Sequence, residues 1–90
     1  MNIPEKVTLA GITITVDRTA ELPEGYVGKA DYQNQRICIN DKFAGVNLTE
    51  QAYYHELVHW ILFIMGEEEL KNNERFVDMF SHFLYQAVQH

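Results

Sequence analysis

The hydrophobic period of this chain changes once, near residue 45, and no other feature constrains its fold as much. Before that point apolar residues alternate. Residues 7–16 read Val-Thr-Leu-Ala-Gly-Ile-Thr-Ile-Thr-Val, with Ile12, Ile14 and Val16 on one face and Thr13 and Thr15 on the other. This is the two-residue period of a half-buried strand rich in β-branched residues. Glu21-Leu22-Pro23-Glu24-Gly25 marks a turn. Arg36-Ile37-Cys38-Ile39-Asn40 alternates again, with Ile37 and Ile39 inward and Cys38 on the opposite face, read as an edge or surface thiol. The polar break Gln33-Asn34-Gln35 predicts a hairpin of roughly 27–32 with 35–40.

After residue 45 the period is helical. Asn47-Leu48-Thr49-Glu50 has the form of a capping box, Asn47 capping the first turn and Glu50 reaching back. The helix is expected to run to about Met65 and to stop at Gly66. Val58, Ile61, Leu62 and Met65 form its apolar stripe, which Tyr54, Leu57, Trp60 and Ile64 widen. A helix apolar on most sides belongs at the centre of a fold. Glu67-Glu68-Glu69-Leu70-Lys71 reads as a solvated link. Asn72 or Asn73 then caps a second helix to about Val88, with Phe76, Phe80, Phe83, Leu84 and Ala87 inward. The expected class is α+β: a short N-terminal antiparallel sheet, a hairpin plus one strand, packed on a central helix and a second C-terminal helix. Ninety residues without repeat or linker make residues 1–90 a single domain.

Composition narrows the functional classes. An apolar share of 47% supports a core and argues against disorder. A formal charge of -6 disfavours nucleic acid as a partner, because binding to phosphates needs a basic stripe. One cysteine forms no internal disulfide. The N-terminus lacks the basic start and apolar stretch of a signal peptide, and no run is long enough to span a membrane, so the expected location is the cytoplasm. Exposed Tyr, Trp and Phe on so small a domain leave a dimer open.

Within the first helix stands His55-Glu56-Leu57-Val58-His59. Two imidazoles four residues apart face the same way and can close on one zinc ion at about 2.0–2.1 Å. Glu56 can reach a water at such an ion without being a ligand, as general base. A shuffle of this composition, with 4 His, produces H-E-x-x-H only about 0.02 times, and a mid-helix position reduces that further. The bland reading, two surface histidines and a salt-bridged glutamate, fits poorly on a helix with so little outer surface. A catalytic zinc site wants a third protein ligand and an open position. Glu74, at the start of the second helix, is the candidate. Glu74, Asp78, Ser81 and Tyr85 share one polar ridge at helical spacing. Asp78, one turn further in, is placed to accept the remote ring N–H of a histidine and so fix its tautomer.

H-E-x-x-H followed on a second helix by Asn73-Glu74, then Asp78, resembles the gluzincin metallopeptidases. The chain is most similar to minimal members, small phage and prophage metallopeptidases related to the ImmA/IrrE-type group. The resemblance is strongest from Tyr54 to Gln86. It implies a zincin-like fold, one Zn2+ ion held by His55, His59 and Glu74, and catalytic Glu56, with Asp78 orienting a histidine. It also implies a peptide or protein substrate and, for a phage protein, action in the host cytoplasm. At this length the C-terminal domain that gives larger gluzincins a transition-state-stabilising histidine is not expected. Tyr85, His82 and Tyr53 are candidates for that role, with Tyr54, Tyr26 and Tyr32 beside them. Either strand of the hairpin could pair with an extended peptide at its edge. Two functions follow as expectations. One is a zinc-dependent peptidase that uses a zinc-activated water with Glu56 as general base. The other is a non-catalytic, zinc-stabilised interaction or regulatory module.

Overall fold

The alternating segment at 7–16 folds as two strands rather than one. The computed structural model describes residues 3–19, 21–42 and 45–89. Within it β1 spans Lys6–Leu9 and β2 spans Ile12–Asp17, joined by Ala10 and Gly11, both at positive φ (49° and 81°). That backbone is the tight turn whose twist matches antiparallel strands. The turn also explains a parity shift in the sequence. In one continuous strand Val7 and Leu9 would point away from Ile12 and Ile14. Folded back, Val7 pairs with Ile14 and Leu9 with Ile12, and all four pack against one core.

β3 (Gly28–Asp31) and β4 (Arg36–Ile39) form the expected antiparallel hairpin. β4 then lies parallel to β2, giving a four-stranded mixed sheet of order β1-β2-β4-β3. The expected sheet, a hairpin plus one strand and all antiparallel, is corrected on both counts. Cys38 is corrected with it. Because β4 is internal, flanked by β2 and β3, the thiol is buried at 2% exposure and lies on no edge. Burial pushes its pKa up.

α1 spans Val46–Met65. Its N-cap is Gly45, without a side-chain cap, and Asn47 lies inside the first turn, so the expected capping box does not form. Both side chains meet Tyr85 instead: its hydroxyl donates to Glu50 Oε1 at 2.7 Å and approaches Asn47 Oδ1 at 3.4 Å. The C-terminus behaves as expected. Gly66 takes φ 75°, and the N–H groups of Gly66 and Glu67 donate to the carbonyls of Phe63 and Leu62. α2 (Glu68–Lys71) is a single helical turn where a solvated link was expected. α3 (Glu74–Val88) starts at Asn73, whose side chain accepts from Phe76 N–H at 3.0 Å.

The layers run sheet, α1, α3. Ile14, Val16, Ile37 and Ile39 meet Tyr53, Leu57 and Trp60 of α1, and the Trp60 indole donates to the Arg36 carbonyl at 3.1 Å. On its other side α1 packs Val58 and Leu62 against Val77 of α3. The expected inward stripe of α3 holds only in part: Phe76 and Leu84 pack against the cluster shared with α1, but the rest of it does not. Val77, Ser81 and Tyr85 are buried, whereas Phe80 and Phe83 are 50% and 63% exposed, with Met79 beside them. The polar ridge, not the Phe stripe, faces α1. Tyr85 reaching Glu50 at one end, and Glu74 reaching the histidines at the other, hold that rotation. Among the described residues no helix is long and apolar enough to cross a membrane.

Candidate metal centre

Helical geometry places the two histidines before any contact is considered. At about 100° per residue, positions 55 and 59 fall within about 40° of each other. They lie between the Val58–Leu62 stripe that meets α3 and the Ala52–Glu56 side that meets β3. The centre is therefore the seam where α3 and the sheet edge both reach α1.

Glu74, the first residue of α3, spans the two rings: Oε2 lies 3.0 Å from His55 Nε2 and Oε1 lies 2.9 Å from His59 Nε2. One donor atom from each of the three residues falls within 4.8 Å of the others. A tetrahedral ion with bonds of about 2.0–2.1 Å needs donor–donor edges of about 3.4 Å. Donors within 4.8 Å of one another need only small side-chain shifts to reach such edges, and two nitrogens and one carboxylate oxygen are donors zinc accepts.

The remote ring nitrogens differ. His55 Nδ1 lies 3.5 Å from Asp78 Oδ1, longer than a formed hydrogen bond. Asp78 is also 3.6 Å from His82 Nε2, so it stands between two imidazoles. His59 instead has a backbone hydrogen bond at Lys71, a partner the sequence did not reveal. Burial lowers the His59 pKa.

Glu56 lies beneath β3. A Cβ on Gly28 would stand 3.1 Å from Glu56 Cγ and 3.2 Å from Oε2, so only glycine lets the strand close over this carboxylate without moving it. The Ala30 backbone hydrogen-bonds Glu56 from the same strand. Burial, reinforced by Glu74 and opposed by His55, pushes the Glu56 carboxyl up to about 7. That value suits an acid–base group near neutrality.

A cleft of about 800 Å³ contains His55, Glu56, His59 and Glu74. Its walls include Gly28, Ala30 and Tyr32 from β3 and the turn after it, Leu22, Pro23 and Tyr26 from the preceding loop, and Lys71 and Asn72. The named stabiliser candidates are not in it. Tyr53 is buried in the core against the sheet, the Tyr85 hydroxyl is held by Glu50, and His82 turns toward Asp78. Of the remaining aromatics Tyr26 and Tyr32 line the cleft and Tyr54 does not. The sequence signal for this wall was the isolated glycine in the β3 pattern, which marks a close backbone approach.

Comparison with family models, with curated proteins and with solved structures returns no match.

Proposed function

We propose that the chain is a zinc-dependent peptidase of minimal gluzincin type. The observation that carries this reading is the convergence of His55, His59 and Glu74 from two helices, with Glu56 beside them in one cleft. A bound zinc ion would supply Lewis acidity toward a substrate carbonyl and a lowered pKa for water. His55 and His59 would hold it from α1, and Glu74 from α3. Glu56, outside the ligand set, takes a proton from the attacking water on its carboxylate and delivers it to the leaving amine. Gly28 and the Ala30 backbone fix the position of that carboxylate.

The sheet supports a peptide as the substrate. β3 is an edge strand and borders the cleft, whereas β4 is internal and the other edge strand, β1, does not line the cleft, so β3 is the strand placed to pair with an extended peptide by main-chain hydrogen bonds. The second function, a zinc-stabilised module without turnover, needs neither a buried Glu56 nor a cleft around the ion.

Glu56→Gln distinguishes the two. Zinc content, measured by atomic emission on purified protein, should stay at one equivalent, while cleavage of a mixed-sequence peptide library should fall at least a thousandfold. A variant that cleaves like the wild type removes the catalytic assignment, and a wild type that binds zinc and cleaves nothing favours the module.

A further inference from the structure

The centre has a general base and a ligand set, but the reaction also places negative charge on the substrate carbonyl oxygen. As water adds to the carbonyl carbon, the C=O π pair moves onto that oxygen, and it returns when the C–N bond breaks. Preorganised donors aimed at this oxygen give the largest single effect in many hydrolases. The residues suggested by helical spacing are engaged elsewhere, as described above.

Tyr32 is different in three respects. It lines the same cleft as His55, Glu56, His59 and Glu74. Its ring is fixed on three sides, stacked on Phe63 at 4.3 Å, edge-on to Trp60 at 5.1 Å, and capped by Lys71 Nζ at 5.0 Å. Phe63 is one helical turn beyond His59 on α1, so the ring stands beside a ligand. Among the described residues its hydroxyl has no hydrogen-bond partner, and it is not sealed from solvent. A phenol held this firmly, with its O–H unengaged, is what a preorganised donor requires: the ring cannot wander and no internal bond must break first. Tyr26 lines the cleft too, but at 61% exposure it lacks that packing.

We propose that Tyr32 is a catalytic residue whose hydroxyl donates a hydrogen bond to the carbonyl oxygen as charge develops there. No proton is transferred: the O–H bond stays intact while the oxygen is charged and relaxes when the amine leaves. This proposal rests on the peptidase reading, so its test carries a measurement that does not depend on turnover.

The variant is Tyr32→Phe, which keeps the ring and its packing. Zinc content and melting temperature should match wild type. Cleavage of the peptide library by zinc-loaded protein should fall about 10²–10³-fold in kcat, with little change in KM. The second measurement is calorimetric binding of a phosphonamidate dipeptide, whose tetrahedral phosphorus oxygens stand in for the charged carbonyl oxygen. Its affinity should fall at least tenfold in Tyr32→Phe and remain unchanged in Tyr26→Phe. Should the wild type cleave nothing, the peptidase reading fails, and the phosphonamidate still decides Tyr32. The proposal is overturned if Tyr32→Phe binds the phosphonamidate as well as wild type, if wild type does not bind it, or if kcat is unaffected.

Discussion

Burial beneath β3 holds the Glu56 carboxyl at about 7 against an ordinary 4.5, so without metal the folded chain keeps a proton that the unfolded chain releases. The sign follows from linkage. Between these two values the folded state binds more protons, so stability falls as pH rises through that window and levels off above it. A separation of that size corresponds to about 3 kcal/mol. His59 works in the opposite direction: its lowered pKa removes stability as pH drops below its ordinary 6.5. Urea unfolding of chelator-treated protein from pH 4.5 to 8, wild type against Glu56→Gln, separates them. The difference between the two should fade as pH is lowered, and a constant difference would show that the carboxylate is solvated. At this scale the sequence was legible where spacing alone fixes proximity, as for His55 and His59, and it suggested Glu74. It was silent on His59's backbone bond at Lys71, and it offered Tyr32 as only one of six candidates for stabilising the oxyanion, because that ring's position depends on how the β3–β4 hairpin lies against α1.

Each helix offered two stripes, and the period could not say which would be buried. On α3 the more hydrophobic stripe, Phe80 and Phe83, lies largely in water, and the stripe through Val77, Ser81 and Tyr85 is inside. Hydrophobicity ranked them wrongly because side chains on α1 decided the rotation: Glu50 for Tyr85, the histidines for Glu74. Thermal unfolding of two truncations tests the arrangement. Val77→Ala, at a site fully enclosed by Val58 and Leu62, should cost about 2 kcal/mol, or roughly 10 °C for a domain of this size. Phe83→Ala removes more carbon yet should cost less than about 1 kcal/mol, because most of that ring is already solvated. The reverse order would mean that the Phe stripe is the packed one. Strands were legible to within about a residue in the β3–β4 hairpin, whose break is polar. At Ala10-Gly11 the turn was hidden, since only the parity of Val7 and Leu9 against Ile12 betrayed it. The parallel pairing of β2 with β4 has no local signal, because it joins segments about 20 residues apart.

Across the whole molecule the candidate centre is also a joint. α1 belongs to both cores, with the sheet on one side and α3 on the other, and the apolar contact with α3 rests on few fully buried residues: Val58, Leu62 and Val77. A chain of this length has a modest core and gains more than a larger one from any added link between elements. An ion bound by two residues of α1 and one of α3 would be such a link. It stabilises the folded state by RT ln(1 + [Zn]/Kd), about 4 kcal/mol at a thousandfold excess over Kd, and so raises the melting temperature by roughly 15–30 °C. Calorimetric scans with zinc and with chelator should differ by an amount of that order, and Glu74→Ala with zinc should melt close to the chelated wild type. Hydrogen exchange locates the effect. Zinc removal should release amides in the first turns of α3 and in α2 well before those of β2 and β4, because the ion's only tie to that layer runs through Glu74. Equal loss of protection in the sheet and in α3 would mean that the ion, if bound, is held within α1 alone, and Glu74 would then be no more than an acid at a helix start.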